Sequence, residues 1–542
     1  MRIFFVALLL LIFACLSISG MMQKSGTCDE IAHHIAVGYS YFKTFDFRLN
    51  PYNPPLPRYI MAFPLNFMTL KSSFNDVNWQ EADAPKFSHK FFFEYNRDKF
   101  RAILFLSRLM IVFVGIFAGF LVYKMAFAFY GGRAGLFALF IFCFTPEVIA
   151  QSSLATTDMT FACFSLLSIF SFWKFSKNPA PKNILFASIS LGLAQLAKYT
   201  ALLLYPAFLF LIFIEYFKKP APVKRIFSKT ILVFVLSVIV IWAGYGFNMK
   251  SFLSQTINQE KKINFTQKTI SHFVPDWNRQ RTERLLRDVK LPLTTYITGI
   301  FGVAEHTKEG HNTFFWGSWS QHGNRWYYFM AFLIKTSLPM LALFCFSLFS
   351  LRRKPLSRDE LYIVIPGILI FAAASFSKLQ IGTRYILPVY LLGCIFISRL
   401  MASRLSLVKR AMAFLLGAWI VIVALLTWPN YLSYFNKFVG GPDNGWKYLR
   451  DSNLDWGQDL PALAKYVKKN KINEITLLYF GEDNPEFYGI NYKKITKAEM
   501  EVPKKAIYAI SAQFIDSINW AKAYKPTAKA GCSIFIYDLS QK

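Results

Sequence analysis

The sequence has little charge, and acidic residues are the scarcer kind. Asp, Glu, Lys and Arg make up 17% of the 542 residues, and 31 acidic residues stand against 61 basic ones. A soluble chain would carry about a quarter charged residues. Hydrophobic residues instead reach 54%, and they recur in runs of about 18 or more, which is long enough to cross a bilayer. The composition excludes an ordinary soluble enzyme and predicts a polytopic α-helical membrane protein.

Cysteine motifs, internal repeats and nucleic-acid-binding modules are also missing. The seven cysteines show no CxxC or Cys/His spacing, which argues against a disulfide framework or a zinc site. No repeat of fixed period is visible. Because no basic and aromatic binding module is present, the net charge of +30 does not indicate a nucleic-acid partner. Basic cytoplasmic loops of a membrane protein explain it better.

About eleven transmembrane spans are predicted. They cover residues 3–20, 102–127, 134–150, 158–175, 183–198, 200–217, 227–247, 328–351, 359–376, 382–400 and 408–427. Lys and Arg cluster in every second short loop, which places those loops in the cytoplasm. Three long segments then face outward: 21–101, 248–327 and 428–542. A cleaved signal peptide is the alternative for the first span, and it leaves residue 29 on the same side.

The C-terminal segment has a different pattern. A helical pattern at 458–469 is followed by strand-like runs such as "EITLLYF", "AIYAISA" and "CSIFIYDL". Alternating helix and strands predict a small α/β domain outside the membrane. We therefore divide the chain into a transmembrane catalytic domain, 1–427, and an extracytoplasmic α/β domain, 428–542.

Residues 26–59, directly after the first predicted span, combine charge with a proline-rich run. Thr27 to Glu30 fits a helical capping box, in which Glu30 reaches back to the N-cap residue. This pattern explains Glu30 as a helix-start residue but leaves Asp29 without a structural role. Asp29 is therefore the first candidate for chemistry in this segment.

Charged residues at membrane depth are functional candidates, since each costs roughly 2.5–3.5 kcal/mol on insertion scales. They collect at the outward ends of the predicted spans and comprise Asp29, Glu30, Asp158, Lys198, Lys335 and Arg384. A transporter would place polar groups or broken helices near the middle of the membrane. The asymmetry favours a reaction at the outer interface. Asp158 has an alternative role as a helix N-cap, and Lys198 and Arg384 have one as interfacial anchors.

Five stretches, in order, resemble one family of enzymes. They read "DEIAHHIAVGYSYFKTFDFRLNPYNPPLPRYIMAFPL", "TTDMTFACF", "LGLAQLAKYTALLLYPA", "HNTFFWGSWSQHGNRWYYFMAFLIKTSLP" and "LQIGTRYILPVY". They resemble the polyprenyl-phosphate-dependent glycosyltransferases related to protein O-mannosyltransferases and lipid A aminoarabinose transferases. The tail stretch "PNYLSYFNKFVGGPDNGWKYLRDSNLDWGQDL" is similar to an extension of bacterial members. The resemblance implies a GT-C-like fold over nearly the whole chain.

The resemblance also implies a reaction. A hexose or pentose on a polyprenyl phosphate would be transferred, with inversion, to an acceptor hydroxyl at the outer face of the membrane. The implied catalytic residues are Asp29 as general base, Glu30, and Asp158 as a second carboxylate. A leaving lipid phosphate needs cations, and the candidates for this are Arg58, Lys198, Arg384 and Lys335. Weaker candidates for contact with the acceptor or the sugar are His311 and Trp456.

A divalent metal is possible in this family pattern, and the sequence leaves it open. Many relatives carry a His or a Glu-Lys pair just before Pro-Pro-Leu, where this chain has Tyr52 and Asn53. His33 and His34 lie four residues after two carboxylates and offer an alternative pair of ligands. A polar helix face explains the same two histidines without a metal.

The expected partners are a polyprenyl-phosphate sugar donor, membrane lipids and an acceptor that is a protein, a lipid or a polysaccharide. The expected location is the inner membrane of a bacterium, with the active site facing the periplasm. Two other functions stay open on the sequence alone. One is a flippase or transporter for lipid-linked sugars, and the other is a ligase or polymerase of similar build.

Overall fold

The computed structural model of the protein describes residues 1–216, 220–255, 278–402 and 406–540. Most of the chain in these ranges is helical. The apolar helices are α1 (Arg2–Met21), α2 (Phe100–Tyr130), α3 (Gly132–Cys143), α4 (Pro146–Ser152), α5 (Asp158–Lys177), α6 (Pro181–Ala197), α7 (Leu204–Tyr216), α8 (Pro220–Gly244), α9 (Tyr327–Lys335), α10 (Leu338–Ser350), α11 (Leu361–Phe376), α12 (Leu387–Ile397) and α13 (Leu407–Thr427).

These helices confirm the polytopic helical class but not the number of spans. Every predicted span coincides with one apolar helix or with a bent pair of helices. Within the described ranges, six helices are long and apolar enough to cross a membrane, or eight if each bent pair is one span. Residues 199–215 and α11 form shorter apolar helices. The predicted count of eleven is therefore not confirmed.

Two of the spans are broken at proline-containing turns. The axes of α3 and α4 differ by 68°, and those of α9 and α10 by 115°. Thr145 precedes Pro146 and is extended, as a residue before proline tends to be. Thr336 and Ser337 are extended between α9 and α10. Each break frees backbone groups that other parts of the chain must bond.

The apolar helices pack closely around α2 and α5. Helix α2 lies against α1, α3 and α5, and α6 lies between α5 and α8. Gly192 in α6 faces Val240, and Gly244 in α8 faces Leu196. A Cβ atom at either glycine would overlap these side chains, so the two glycines allow the α6 and α8 backbones to approach.

Short elements fill the outer segments. The helices of the first segment are Ile35–Thr44, Leu56–Ala62, Val77–Gln80 and Ala84–His89, and those of the second are Arg279–Asp288 and Thr294–Glu309. Two strand pairs belong to the second segment: β1 (Met249–Lys250) with β2 (Leu291–Pro292), and β3 (Thr313–Phe315) with β4 (Ser318–Ser320). These elements form the walls above the apolar helices.

The C-terminal segment contains the predicted α/β fold. Its strands are β5 (Ile475–Leu478), β6 (Tyr492–Lys494), β7 (Ile507–Ser511), β8 (Ala528–Ala530) and β9 (Ile534–Asp538), in the order β6-β5-β7-β9-β8. Strand β5 is parallel to β6 and β7, whereas β9 is antiparallel to β7 and β8. Helix Leu460–Lys469 packs Leu460, Leu463 and Val467 against this sheet.

The segment before the sheet binds the start of the first outer segment. The Cys28 amide donates to the carbonyl of Trp456 at 3.0 Å, and the Ser25 amide donates to that of Gln458 at 3.0 Å. Lys24 forms an ion pair of 2.6 Å with Asp459. These contacts bring residues from both ends of the chain to one place, where a cavity lies.

Candidate active site

A cavity of about 1250 Å³ lies between the outer segments, the outward ends of the helices and the C-terminal segment. Its walls include most of the residues singled out by sequence. Asp29, Lys198, His311, Arg384 and Trp456 all line it. Residues more than 400 positions apart thus share one surface.

Helix and turn boundaries position the charged side chains. Asp29 immediately precedes a π-helical turn, Glu30–His34. Asp158 is the first residue of α5, and Lys198 immediately follows α6 in extended conformation. Arg384 lies in a 3₁₀ turn that follows Gly382. Gly382 has φ of 140°, and a Cβ atom there would collide with the Ser452 hydroxyl, so this turn requires glycine.

Four of these side chains form one chain of opposite charges, which we refer to as the charge chain. Lys198 Nζ lies 2.7 Å from Asp158 Oδ1, and Arg384 Nη1 lies 3.8 Å from Asp158 Oδ2. Arg384 Nη1 also donates to Asp29 Oδ2 at 2.8 Å. The charge chain therefore alternates ammonium, carboxylate, guanidinium and carboxylate along the cavity.

Aromatic rings support the two cations of the charge chain. The Arg384 guanidinium lies over the Trp456 ring, 4.1 Å from its centre, and Lys198 Nζ lies 4.1 Å from the centre of Tyr385. The ring faces attract positive charge and restrict where it can lie. Trp456 is buried, so its main observed contact is with Arg384 rather than with open cavity space.

The charge chain has unused bonding capacity. Within the described part of the protein, Arg384 Nε and Asp158 Oδ2 are buried and have no hydrogen-bond partner. A buried polar atom without a partner costs about 1–3 kcal/mol. An anionic ligand that accepts from Arg384 Nε would remove one of these costs.

The pKa of the Asp29 carboxyl reflects its neighbours. Burial alone would raise this pKa, but Arg384, together with His34 and His33, outweighs burial and holds the pKa well below the usual range. Burial lowers the pKa of both histidines, and also that of His311. Asp29 is therefore ionised near neutral pH, and the cavity histidines are neutral.

Glu30 takes a structural position rather than a place in the cavity. Its carboxylate accepts hydrogen bonds from Arg108 Nε at 2.8 Å and Nη2 at 2.7 Å. It also accepts from the backbone amides of Thr27 and Ala155. The Thr27 hydroxyl donates to Glu30, so only half of the predicted capping box forms. Glu30 thus forms a buried ion pair that fixes the backbone beside Asp29, and this position does not support its predicted catalytic role.

Arg58 likewise stands behind the cavity wall and does not line it. Its guanidinium is buried and donates to the carbonyls of His33 at 3.1 Å and Asn53 at 3.0 Å. Its third contact is His34 Nδ1 at 3.3 Å. These bonds hold the guanidinium behind the wall, and its predicted role in binding the donor phosphate stays a prediction that this position does not support. Arg58 positions wall residues of the first outer segment.

Lys335 is the second predicted phosphate ligand that does not line the cavity. It is buried at the break between α9 and α10, where Nζ donates to the carbonyls of Leu432 and Asn453, each at 2.6 Å. Glu147, beside the other helix break, lies 3.8 Å from Nζ. Lys335 thus joins the two broken spans to the C-terminal segment, and it does not line the cavity.

Several wall residues were not predicted from sequence. The C-terminal segment contributes Asp451, Phe480, Gln513, Phe514 and Asp516. Asp451 has φ of 56°, a left-handed conformation that Asp adopts more readily than most residues. No motif marks the others, because they come from loops around the sheet. Their place in the cavity follows only from how that sheet sits on the outer segments.

The described residues do not offer the metal site that the sequence left open. No group of three or more His, Cys, Asp or Glu side chains in the described ranges is arranged to hold a metal ion. His33 and His34 do not converge with a third such ligand. A divalent metal stays a prediction, and Lys198 and Arg384 supply the positive charge of this cavity.

Part of the chain matches a known protein family. Residues 86–250 match the family described as dolichyl-phosphate-mannose-protein mannosyltransferase. The match covers 165 of the 542 residues and supports a glycosyltransferase over that part of the chain. The matched segment includes Asp158 and Lys198 of the charge chain, whereas Asp29 and Arg384 lie outside it. The predicted family and enzyme class are confirmed.

One solved structure has a similar fold over nearly the whole chain, and two others match less closely. ArnT from Cupriavidus metallidurans, bound to undecaprenyl phosphate, has a TM-score of 0.50 and 12% identity over 98% of this chain and 97% of that chain. The oligosaccharyltransferase of Archaeoglobus fulgidus scores 0.47, with 14% identity over 90% of this chain and 60% of that one. The Pmt1-Pmt2 protein O-mannosyltransferase complex of S. cerevisiae scores 0.34, with 18% identity over 45% and 33%. A comparison with curated protein sequences finds no match.

Proposed function

We propose that this glycosyltransferase moves a sugar from a polyprenyl-phosphate donor to an acceptor hydroxyl, with inversion, at the outer face of a bacterial cytoplasmic membrane. The charge chain is the observation that carries this proposal. It sets two cations and an open carboxylate on one wall of a cavity large enough for a sugar phosphate and an acceptor group. All four residues lie in loops or helix ends that the positive-inside rule assigns to the outer face.

Arg384 and Lys198 are proposed to bind the donor phosphate. As the bond from the sugar to the phosphate breaks, negative charge grows on the leaving oxygen, and fixed cations stabilise it. Arg384 Nε is already without a partner in the described structure. The similarity in fold to a protein bound to undecaprenyl phosphate supports a lipid phosphate as the ligand.

Asp29 is proposed as the general base. Only its Oδ2 atom is bonded to Arg384, and a quarter of the side chain is exposed, at 25%. The acceptor oxygen would bond to the anomeric carbon as the phosphate oxygen leaves from the opposite face. The acceptor proton passes to Asp29, and the products are the glycosylated acceptor and the polyprenyl phosphate.

Asp158 is proposed to position the two cations rather than to touch the acceptor. Its side chain is only 1% exposed and faces Lys198 on one oxygen and Arg384 on the other. A fixed anion between two cations holds them apart at the spacing that a phosphate group can bridge. Removing it would allow both cations to shift.

The test is transfer from a synthetic polyprenyl-phosphate sugar by the purified full-length protein. Mass spectrometry of glycans and of lipid-linked sugars, in cells with and without the protein, identifies the sugar and the acceptor class. Loss of a glycan together with accumulation of its lipid-linked sugar supports the proposal. An altered distribution of the lipid-linked sugar across the membrane, with no missing glycan, would instead indicate a flippase.

A further inference from the structure

One group of lining residues differs chemically from the charge chain. It is built from Trp319 of the second outer segment and from Phe480, Gln513, Phe514, Asp516 and Ser517 of the C-terminal segment. We refer to these six residues as the aromatic wall. None of them is Lys or Arg, and the described residues that line the cavity include no Lys or Arg besides Lys198 and Arg384.

Asp516 is fixed in the aromatic wall by two partners on one oxygen. Trp319 Nε1 donates to Oδ2 at 3.1 Å, and Arg450 Nη1 lies 2.8 Å from the same atom. Arg450 is itself buried, with its guanidinium 3.8 Å from the centre of Phe314. In the described structure Oδ1 has no hydrogen-bond partner, and the side chain is 31% exposed. Asp516 is thus fixed through Oδ2, and its Oδ1 is available as a hydrogen-bond acceptor.

Aromatic and amide groups lie beside this carboxylate. Phe514 packs edge-to-face on Phe480, with ring centres 5.9 Å apart, and both rings line the cavity. Gln513 accepts a hydrogen bond from the backbone of Asp451 at 3.1 Å through its carbonyl oxygen. Its amide NH₂ group takes no part in that bond and can donate. The aromatic wall therefore combines ring surfaces with one hydrogen-bond acceptor and one donor.

The charge of the cavity limits what this wall can hold. Besides the two cations, the lining carries six carboxylates: Asp29, Asp83, Glu305, Glu309, Asp451 and Asp516. Both cations already bond carboxylates in the charge chain, and the charged member of the aromatic wall is Asp516, so a phosphate or sulfate at this wall would lie beside a carboxylate. Like charges repel, so an anionic acceptor is disfavoured.

We propose that the aromatic wall is the acceptor subsite, and that it takes a neutral saccharide whose hydroxyl is glycosylated. This rests on the proposed function. The C–H face of a sugar ring packs on an aromatic ring, whose face is negative. Its hydroxyls pair with a carboxylate and an amide at the edge. Strands β5 to β9 contribute no residue to the lining, so that sheet offers no strand edge to an extended peptide.

The experiment uses the full-length protein in detergent on an array that carries neutral glycans, sulfated or carboxylated glycans, and Ser/Thr peptides. The wild-type protein should bind neutral glycans and neither of the other two groups. Phe514→Ala and Asp516→Asn should reduce that binding about 10-fold or more, as expected for the loss of one such contact. Asp443→Asn is the matched control, since this C-terminal aspartate is 84% exposed and does not line the cavity.

Binding of acidic glycans or of peptides in place of neutral glycans overturns the proposal, and so does binding to no ligand on the array. Equal binding by Phe514→Ala and the wild type also overturns it. Asp516→Asn leaves the buried Arg450 without its counter-ion and could fail to fold. In that case Phe514→Ala alone decides the test. Binding of undecaprenyl phosphate is measured in parallel, because its absence contradicts the proposed function and not the aromatic wall.

Discussion

Arg384 donates a 2.8 Å hydrogen bond to the carboxylate of Asp29, across 355 positions of sequence. The bond joins the first outer segment to the turn that precedes α12. It also keeps the Asp29 carboxyl ionised, since Arg384 is the main group that lowers the Asp29 pKa against the effect of burial. The five predictions below test this arrangement and the structure that supports it.

Asp29→Asn should reduce sugar transfer by about 10²–10⁴-fold, the usual loss when general-base catalysis is removed. Binding of undecaprenyl phosphate should not weaken, because the change frees Arg384 from its anion. Turnover of a synthetic donor and lipid binding are measured side by side. Asp83→Asn is the control, since Asp83 also lines the cavity but pairs with Lys86. More than about a tenth of wild-type turnover in Asp29→Asn would remove Asp29 as the base.

Arg384→Ala and Lys198→Ala should each weaken binding of undecaprenyl phosphate by about 10- to 100-fold, as expected for the loss of one charge-assisted contact. Lys378→Ala should leave it unchanged, because Lys378 is a partly exposed cation that does not line the cavity. Lipid titration of the purified variants provides the measurement. If all three variants bind alike, Lys198 and Arg384 serve only to hold the two carboxylates.

Glu30→Gln should lower the stability of the fold by about 3–5 kcal/mol, because it leaves the buried Arg108 without its counter-ion. The sequence alone predicts a mild effect, on the argument that Gln still closes a capping box. Thermal melts in detergent measure the change, and the double variant Glu30→Gln/Arg108→Gln should recover part of the loss. A wild-type melting temperature with no activity would return Glu30 to the catalytic residues.

Asp455→Asn should stabilise the protein at pH 8 and change little at pH 5. Asp455 is fully buried, its Oδ2 has no partner in the described structure, and burial raises its pKa to about 7. The folded state therefore holds this proton at a pH where the unfolded state has lost it, so stability falls as pH rises from about 4 to 7. Asn mimics the protonated form and removes the cost of an unpaired buried group at high pH, on the order of 1–3 kcal/mol.

Melting temperatures of Asp455→Asn and the wild type at pH 5, 6, 7 and 8 provide the comparison. Asp538→Asn is the control, because Asp538 lies in the same C-terminal segment but is exposed. Parallel curves for Asp455→Asn and the wild type would show that Asp455 is not the titrating group.

The topology predicts opposite labelling of two engineered cysteines. Lys525→Cys in the C-terminal segment should react with an impermeant maleimide in intact cells, whereas Lys182→Cys in the first turn of α6 should react only after the cells are opened. Both positions are exposed, and basic loops remain in the cytoplasm. The reverse pattern would place the cavity on the cytoplasmic side and contradict a reaction at the outer face.

The charge chain is predictable from sequence because a charged residue between apolar runs has few explanations. Asp158, Lys198 and Arg384 stand out for that reason, and Asp29 because a helix cap explains its neighbour and not itself. The same signal selects Arg58 and Lys335, which do not line the cavity. The sequence predicts that these cations lie next to apolar spans. It does not predict which backbone carbonyls they bond, because that depends on how the loops fold.

In the C-terminal segment the sequence predicts the fold class but not the residues that reach the cavity. Alternating patterns predict its α/β class, since strand and helix periods are local properties. They do not predict that loops such as 512–517 reach the cavity, because this depends on docking between segments far apart in the chain. Asp516 and Phe514 therefore have no signal in the sequence, although the sheet that carries them does.

The charge chain has one consequence for the order of events. While the cavity holds no donor, each cation rests on a carboxylate, and Asp29 is a weak base because Arg384 stabilises its ionised form. A lipid phosphate that draws Arg384 and Lys198 to itself relieves Asp29 of that partner and makes it more basic. On this basis we expect an ordered kinetic sequence for the proposed reaction, in which the acceptor hydroxyl is activated only after the lipid-linked sugar has bound.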